Sequence, residues 1–169
     1  YWFKTSLCIR SLKSIKSQEL LGDRHPYVAT SLISLALLYK NQGRYTEAKP
    51  LYKDALALCK ELLGDRHPYV ATSLISLALL YDKQGKYSKA EPLFKDALTL
   101  YKELLGDRHP YVATSLNNLA LLYDKQGRYT EAEPLYIEAV AIAEEKLGVD
   151  HPYTVIMRNN LPMLRESQS

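Results

Sequence analysis

Four Asp and His pairs recur along this chain and are its most tempting chemistry. His25, His67 and His109 each stand two residues after an Asp, and His151 directly follows Asp150. A zinc ion needs about four such ligands at roughly 2 Å from the metal. Equivalent residues in neighbouring helical layers lie on the order of 8–10 Å apart. Each pair alone supplies too few ligands, so the expectation is helix capping and loop hydrogen bonding, with no metal. Catalysis has no foothold either. There is no Ser–His–Asp order with an elbow glycine, no Cys–His arrangement and no phosphate loop, so neither an enzyme nor a cofactor is expected. Asp, His and Tyr recur in every unit, which marks them first as architecture.

The elements that carry these residues repeat. The segment Gly22-Asp23-Arg24-His25-Pro26-Tyr27 returns at Gly64 and Gly106, and a diverged copy opens at Gly148, each time after 42 residues. Residues 22–63 and 64–105 differ at nine positions, and 64–105 and 106–147 at 14. A gapless repeat of this kind predicts a stack of one small unit, with function on a surface. Leu32, Leu35, Ala36 and Tyr39 fall on one face of a helix, and Ala48, Leu51, Tyr52, Ala55, Leu56 and Leu58 mark a second. Nothing alternates with period two and the only Trp is Trp2, so a propeller is excluded.

Gly22 predicts a helix stop, Pro26 a helix start, Gly43 a second stop and Thr46 the cap of the second helix. Helix A is expected from about Pro26 to Gln42 and helix B to about Leu62, with Pro50 in the first turn of B. The architecture expected is all-α, a right-handed α-solenoid of stacked antiparallel helix pairs. It is read as one domain over 1–169: a partial repeat with helix B only (1–21), repeats 22–63, 64–105 and 106–147, and a partial repeat with helix A only (148–169). Pro162 is expected to kink or stop the last helix.

Composition sets the outer bounds. The net charge of +3 has no clustered basic patch, so no nucleic acid or anionic membrane is expected as a partner. No apolar run is long enough to span a bilayer. Cys8 and Cys59 lack paired spacing and read as reduced thiols of a cytoplasmic protein. The chain opens on Tyr1 without a leader and reads as part of a longer protein.

Leu35-Ala36-x-x-Tyr39 followed by Gly43, Tyr45, Ala48, Tyr52 and Ala55 resembles the tetratricopeptide consensus, whose usual unit is about 34 residues. The longer unit found here is similar to the kinesin-light-chain type. It shares the connector Leu-Gly-Asp-x-His-Pro and the runs Leu116–Tyr123 and Glu131–Tyr136. The resemblance spans about residues 6–165, and such arrays also occur in large bacterial proteins, cyanobacterial ones above all.

The resemblance implies a protein-interaction scaffold that holds a peptide or protein segment along a concave surface lined by A helices. The inward positions it assigns are Thr30, Ile33, Ser34, Leu37 and Asn41; Thr72, Ile75, Ser76, Leu79 and Lys83; and Thr114, Asn117, Asn118, Leu121 and Lys125. Ile33, Leu37, Ile75 and Leu79 are not needed for the pairing of A with B, so they serve a partner or the neighbouring A helix. Asn117 and Asn118 replace Ile75 and Ser76, and the last unit has Asn159 and Asn160. An Asn amide suits peptide backbone, or a bond between neighbouring helices. Thr30, Ile33 and Leu37 stand where clamps for a C-terminal carboxylate carry cations, which argues against that role. Two other readings remain: a structural spacer that self-associates weakly through its open ends, and a regulatory array in a larger signalling protein.

Overall fold

A computed structural model describes residues 26–166, with side chains from 27 to 161. The partial first repeat at 1–21, Cys8, Gly22 and His25 lie outside the described residues. The described elements are helices: α1 (Pro26–Asn41), α2 (Tyr45–Leu63), α3 (Pro68–Lys83), α4 (Tyr87–Leu105), α5 (Pro110–Asp124), α6 (Tyr129–Leu147) and α7 (Pro152–Glu166). The A helices are α1, α3, α5 and α7, and each begins at the proline of the repeated block. Proline has no N–H to lose at that position, and its φ already suits a helix.

The turn from A to B takes three residues. After α1, the Gly43 N–H donates to the Lys40 carbonyl at 3.0 Å and the Arg44 N–H to the Tyr39 carbonyl at 2.9 Å. Helix B then starts at Tyr45 with Arg44 as its cap residue, which makes no side-chain cap bond. Thr46 therefore lies inside the helix and is not its cap. The earlier start also moves Pro50 into the second turn. The helix runs through it, and Pro50, Pro92 and Pro134 are all exposed, so the carbonyl each leaves unpaired can be hydrated. Helix α2 stops at Gly64 with φ 81° and ψ 163°. That is not the left-handed helical cap expected of such a glycine but a region almost closed to other residues.

The chain divides into two compact units, residues 1–76 and 77–169, with the boundary inside α3. In the first, α1 packs on α2. Small Ala36, Ala48 and Ala55 are fully buried, so the two backbones approach closely, while Tyr52 and Cys59 fill the space beside them. Burial pushes the Tyr52 hydroxyl up to about 12. It also raises the Cys59 thiol, which makes that sulfur a packing group and a poor nucleophile.

In the second unit, α5 packs on α4 and α6, and α7 on α6. Its core uses the same positions: Ala78, Ala90, Phe94, Ala97, Leu116, Leu119, Ala120, Ala132, Tyr136 and Ala139. Helix α7 continues to Glu166, so Pro162 does not end it. Proline at that point removes a single bond close to the terminus.

Candidate functional site

The histidines hold helix ends. The Tyr69, Tyr111 and Tyr153 N–H groups donate to the Nδ1 atoms of His67, His109 and His151 at 3.2, 3.1 and 3.3 Å. Each imidazole thus accepts from the second residue of an A helix, the work a Ser or Asn side chain does at other caps. An accepting Nδ1 leaves the ring proton on Nε2. Among the described residues, no group of three His, Cys, Asp or Glu is placed to hold a metal. His109→Ala is expected to cost about 1 kcal/mol in urea unfolding, and His109→Asn only a few tenths, because Asn caps well. Equal losses for both variants would contradict the capping role.

The tyrosines beside these caps behave unlike the others. Tyr39, Tyr45 and Tyr52 are half-buried or buried, as expected of residues that fill space between helices. Tyr27, Tyr69, Tyr111 and Tyr153 are instead 65, 54, 54 and 61 % exposed. The rings of His109 and Tyr111 are 5.1 Å apart, and Tyr101 of α4 lies 5.3 Å from Tyr111 on another side. The architectural reading of the repeated tyrosines therefore fails at this position. The sequence signal was present, since Tyr27, Tyr69 and Tyr111 each fall three residues before the exposed Thr of their copy.

On α5 the accessible residues follow one helical stripe: Tyr111, Thr114, Asn118, Leu121 and Lys125, at i, i+3, i+7, i+10 and i+14. In the first unit, α1 carries the same stripe as Tyr27, Thr30, Ser34, Leu37 and Asn41, all exposed. Thr72 is exposed, and Ile75 and Ser76 are half-buried; in the second unit Leu79 is half-buried and Lys83 exposed. Ile33 and Ile75 sit off the stripe, at the position of Asn117, and are half-buried. The stripe is the A-helix face, and it runs along the side of the A helix opposite the buried Leu116, Leu119 and Ala120.

Much of its hydrogen-bonding capacity is already used. Ser34 and Ser76 hydroxyls donate to the Thr30 and Thr72 carbonyls of their own helices at 3.0 and 2.9 Å. The Thr114 hydroxyl does the same to the Pro110 carbonyl at 3.2 Å. Asn117 is buried, and its Oδ1 accepts from Asn160 Nδ2 of α7 at 2.8 Å. Lys125 donates to Asp82 Oδ2 at 2.6 Å, and Asp82 is almost wholly buried. Asn118 differs from all of these. It is half-buried at the stripe, and its amide has no hydrogen-bond partner among the described residues.

A second polar cluster clips α4 to the next hairpin. Glu91 accepts from Arg128 Nη1 at 2.7 Å, Lys95 Nζ at 2.7 Å and the Tyr123 hydroxyl at 3.1 Å. The Arg128 guanidinium lies 4.0 Å over the Tyr123 ring and also reaches Glu131. These donors, Arg128 foremost, hold the Glu91 carboxyl down at about 2. An open depression of about 420 Å³ lies at the α4–α5 connector, lined in part by Arg108, His109 and Lys146. Arg108 and Lys146 both pair with Glu145, and Asp107 also lines the depression, so two carboxylates balance its two cations.

Hairpins of this geometry, with alanines at the close approach and a glycine after each helix, define a repeat class. Tetratricopeptide repeat models match residues 7–58, 34–103 and 112–153, and the chain belongs to the tetratricopeptide repeat family. Within it the repeats are of the kinesin-light-chain-like type, and the fold class is the all-α solenoid of helix pairs. The structure of BtubC (BKLC) from P. vanneervenii is 25 % identical, with a TM-score of 0.83 over 98 % of this chain and 66 % of that one. The chain thus spans just under two thirds of that relative's length. A Podosopora anserina kinesin light chain structure with nearly identical TPR-like repeats is 27 % identical, with a TM-score of 0.78 over 86 % of this chain and 69 % of that one. The translocator chaperone SycD of Yersinia enterocolitica shares the fold at 17 % identity, with a TM-score of 0.63 over 89 % of this chain and 92 % of its own. A search of the curated proteins finds no match. No helix among the described residues is long and apolar enough to cross a membrane.

Proposed function

We propose that this chain is a non-enzymatic scaffold of a cytoplasmic protein and that its A-helix face binds a peptide or protein segment. The observation that carries this reading is the stripe on α5. Leu121 and Asn118 are left partly in water after the core is filled, and the Asn118 amide keeps both a donor and an acceptor to offer. Apolar groups beside unspent amides suit an extended backbone with apolar side chains. The engagement of Asn117 with Asn160 removes it from the contact set and leaves Asn118 as the principal polar contact. Lys125 is likewise occupied by Asp82, whereas Leu37, Leu79 and Leu121 continue the apolar line in each copy.

Contacts of this number and kind correspond to binding in the micromolar range. The test is a pull-down from native lysate with the wild-type chain and with Asn118→Ala/Leu121→Glu. The double variant is expected to recover at least tenfold less of any partner. Both substituted positions are accessible, so the circular dichroism spectrum and melting curve are expected to stay within a few degrees of wild type. Undiminished recovery by the folded double variant overturns the reading.

A further inference from the structure

The fourth A helix, α7, departs from the other three on the face where they are most alike. At i, i+3 and i+7 the earlier A helices carry Ala29, Leu32 and Ala36; Ala71, Leu74 and Ala78; and Ala113, Leu116 and Ala120. In α5 these residues are 0, 1 and 0 % exposed. Alanines at both ends of such a face let a packed helix come close, and the leucine between them fills the contact. Helix α7 has Val155, Arg158 and Pro162 there instead. Val155 is 39 % exposed, and Arg158 is exposed and bonded to Glu144 of α6. A helix seated here as in the earlier copies would meet a β-branched side chain where alanine stood and would bury an ion pair. The face is not built for a further hairpin of the same packing.

The apolar content beside it has nevertheless risen. Val149 stands where the other connectors have Asp23, Asp65 and Asp107, and Ile156 where the other A helices have Thr30, Thr72 and Thr114. Val149 is 52 %, Tyr153 61 % and Ile156 54 % exposed. Single exposed apolar residues are ordinary, whereas a cluster such as these with Val155 marks a surface that something covers. Exposed Pro152, Val155, Ile156 and Asn159 fall at i, i+3, i+4 and i+7, the spacing with which one helix meets another. Asn159 occupies the position of Asn117, which in α5 accepts from Asn160 of the neighbouring A helix. The α7 surface thus fits a helix that carries apolar groups about an asparagine amide, and α7 of a second copy is such a helix. None of the four seam residues is charged, so two identical surfaces meet without repulsion, and a two-fold axis sets amide against amide.

We propose that α7 pairs two copies of this chain across a two-fold axis, through Pro152, Val155, Ile156 and Asn159, with Val149 and Tyr153 at the rim. The two helices cross over the turn 156–159, and the Asn159 amides bond to each other as Asn160 does to Asn117. About six residues a side is far below the 20–30 of a standard interface, so the pairing is weak, with a Kd on the order of 0.1 mM. It uses none of the residues of the α5 stripe and stands whether or not a peptide binds there.

Sedimentation equilibrium of the chain from about 10 µM to about 1 mM tests it. Wild type is expected near its monomer mass of 19.3 kDa at the low end and to approach twice that mass at the high end. Val155→Ala/Ile156→Thr, which restores the residues of the earlier copies, is expected to weaken pairing at least tenfold, and Ile156→Glu to leave a monomer throughout. Both positions are exposed, so the circular dichroism spectra are expected to match wild type. Asn118→Ala/Leu121→Glu is expected to pair as wild type does. In a Cys8→Ser background, Asn159→Cys is expected to form a covalent dimer under mild oxidation at least tenfold faster than Thr114→Cys, which is exposed on α5. A wild type that stays monomeric at about 1 mM overturns the proposal. So does pairing that survives Ile156→Glu, is lost in Asn118→Ala/Leu121→Glu or grows past the dimer into longer assemblies, and so do equal cross-linking rates for the two cysteine variants.

Discussion

Leu116→Ala is expected to destabilise the chain by about 3–5 kcal/mol. Leu116 is 1 % exposed in the middle of α5, which packs on both α4 and α6. The alanines one turn either side of it on the same face, Ala113 and Ala120, are themselves fully buried and have no longer side chain to swing into the space. Removing three carbons there leaves a cavity that the close approach of the helices cannot collapse. The upper half of the range for such substitutions is therefore the relevant one. The urea midpoint of the second unit reads this directly. A loss below about 1 kcal/mol would show that the helix pair relaxes freely, contrary to its packing. The corresponding residue of α7 is Arg158, which binds Glu144 at 2.6 Å. The same position is thus apolar in α5, which packs on two B helices, and charged in α7, where it reaches across to α6.

The second large effect concerns the clip at Glu91. Glu91→Gln is expected to cost about 2–3 kcal/mol near neutral pH, since it discharges an acceptor that serves Arg128, Lys95 and Tyr123 together. The carboxyl sits at about 2 in the folded chain because of the Arg128 hydrogen bond first, with Lys95 and Tyr123 adding to it against the opposing effect of burial. An unfolded Glu titrates near 4.3. A depressed carboxylate contributes stability that is fully present above the unfolded value and is lost as pH falls through the folded one. The contribution of Glu91 is therefore expected to vanish between about pH 5 and pH 2. Glu131 and Glu145 are also held low by Arg128 and by Lys146 with Arg108, so the whole chain weakens in acid. The informative quantity is the gap in urea midpoint between wild type and Glu91→Gln. It is expected to be wide at pH 7 and closed at pH 2, whereas a gap that stays constant with pH excludes the ion-pair account. The first copy already carries Lys49 at this position, so the clip is a property of particular copies and not of the repeat.

Most of the fold was legible because it is written in short-range chemistry. The 3.6-residue periodicity, the proline at each A-helix start and the glycine at each stop act within four residues of themselves, and one chain shows them several times over. The histidine caps belong to the same class, since His109 and the Tyr111 N–H it serves are two residues apart. Even here local rules erred by a small step. Thr46 was the better capping residue by type, yet the helix begins before it, because the Arg44 N–H is already drawn to the Tyr39 carbonyl and starts the turn early.

The sequence by itself determined the helices, their order, their pairing and the family, and it marked Asn117 and Asn118 as the informative breaks in the copy. Only the tertiary structure decided between those two. Neighbouring A helices meet with an offset of 43 residues, not 42, as the Asn160–Asn117 and Lys125–Asp82 bonds both show. That extra residue comes from how one helix packs beside the next, which no property of a single helix encodes. One position is a third of a helical turn, and it is enough to bury Asn117 against α7 and leave Asn118 accessible.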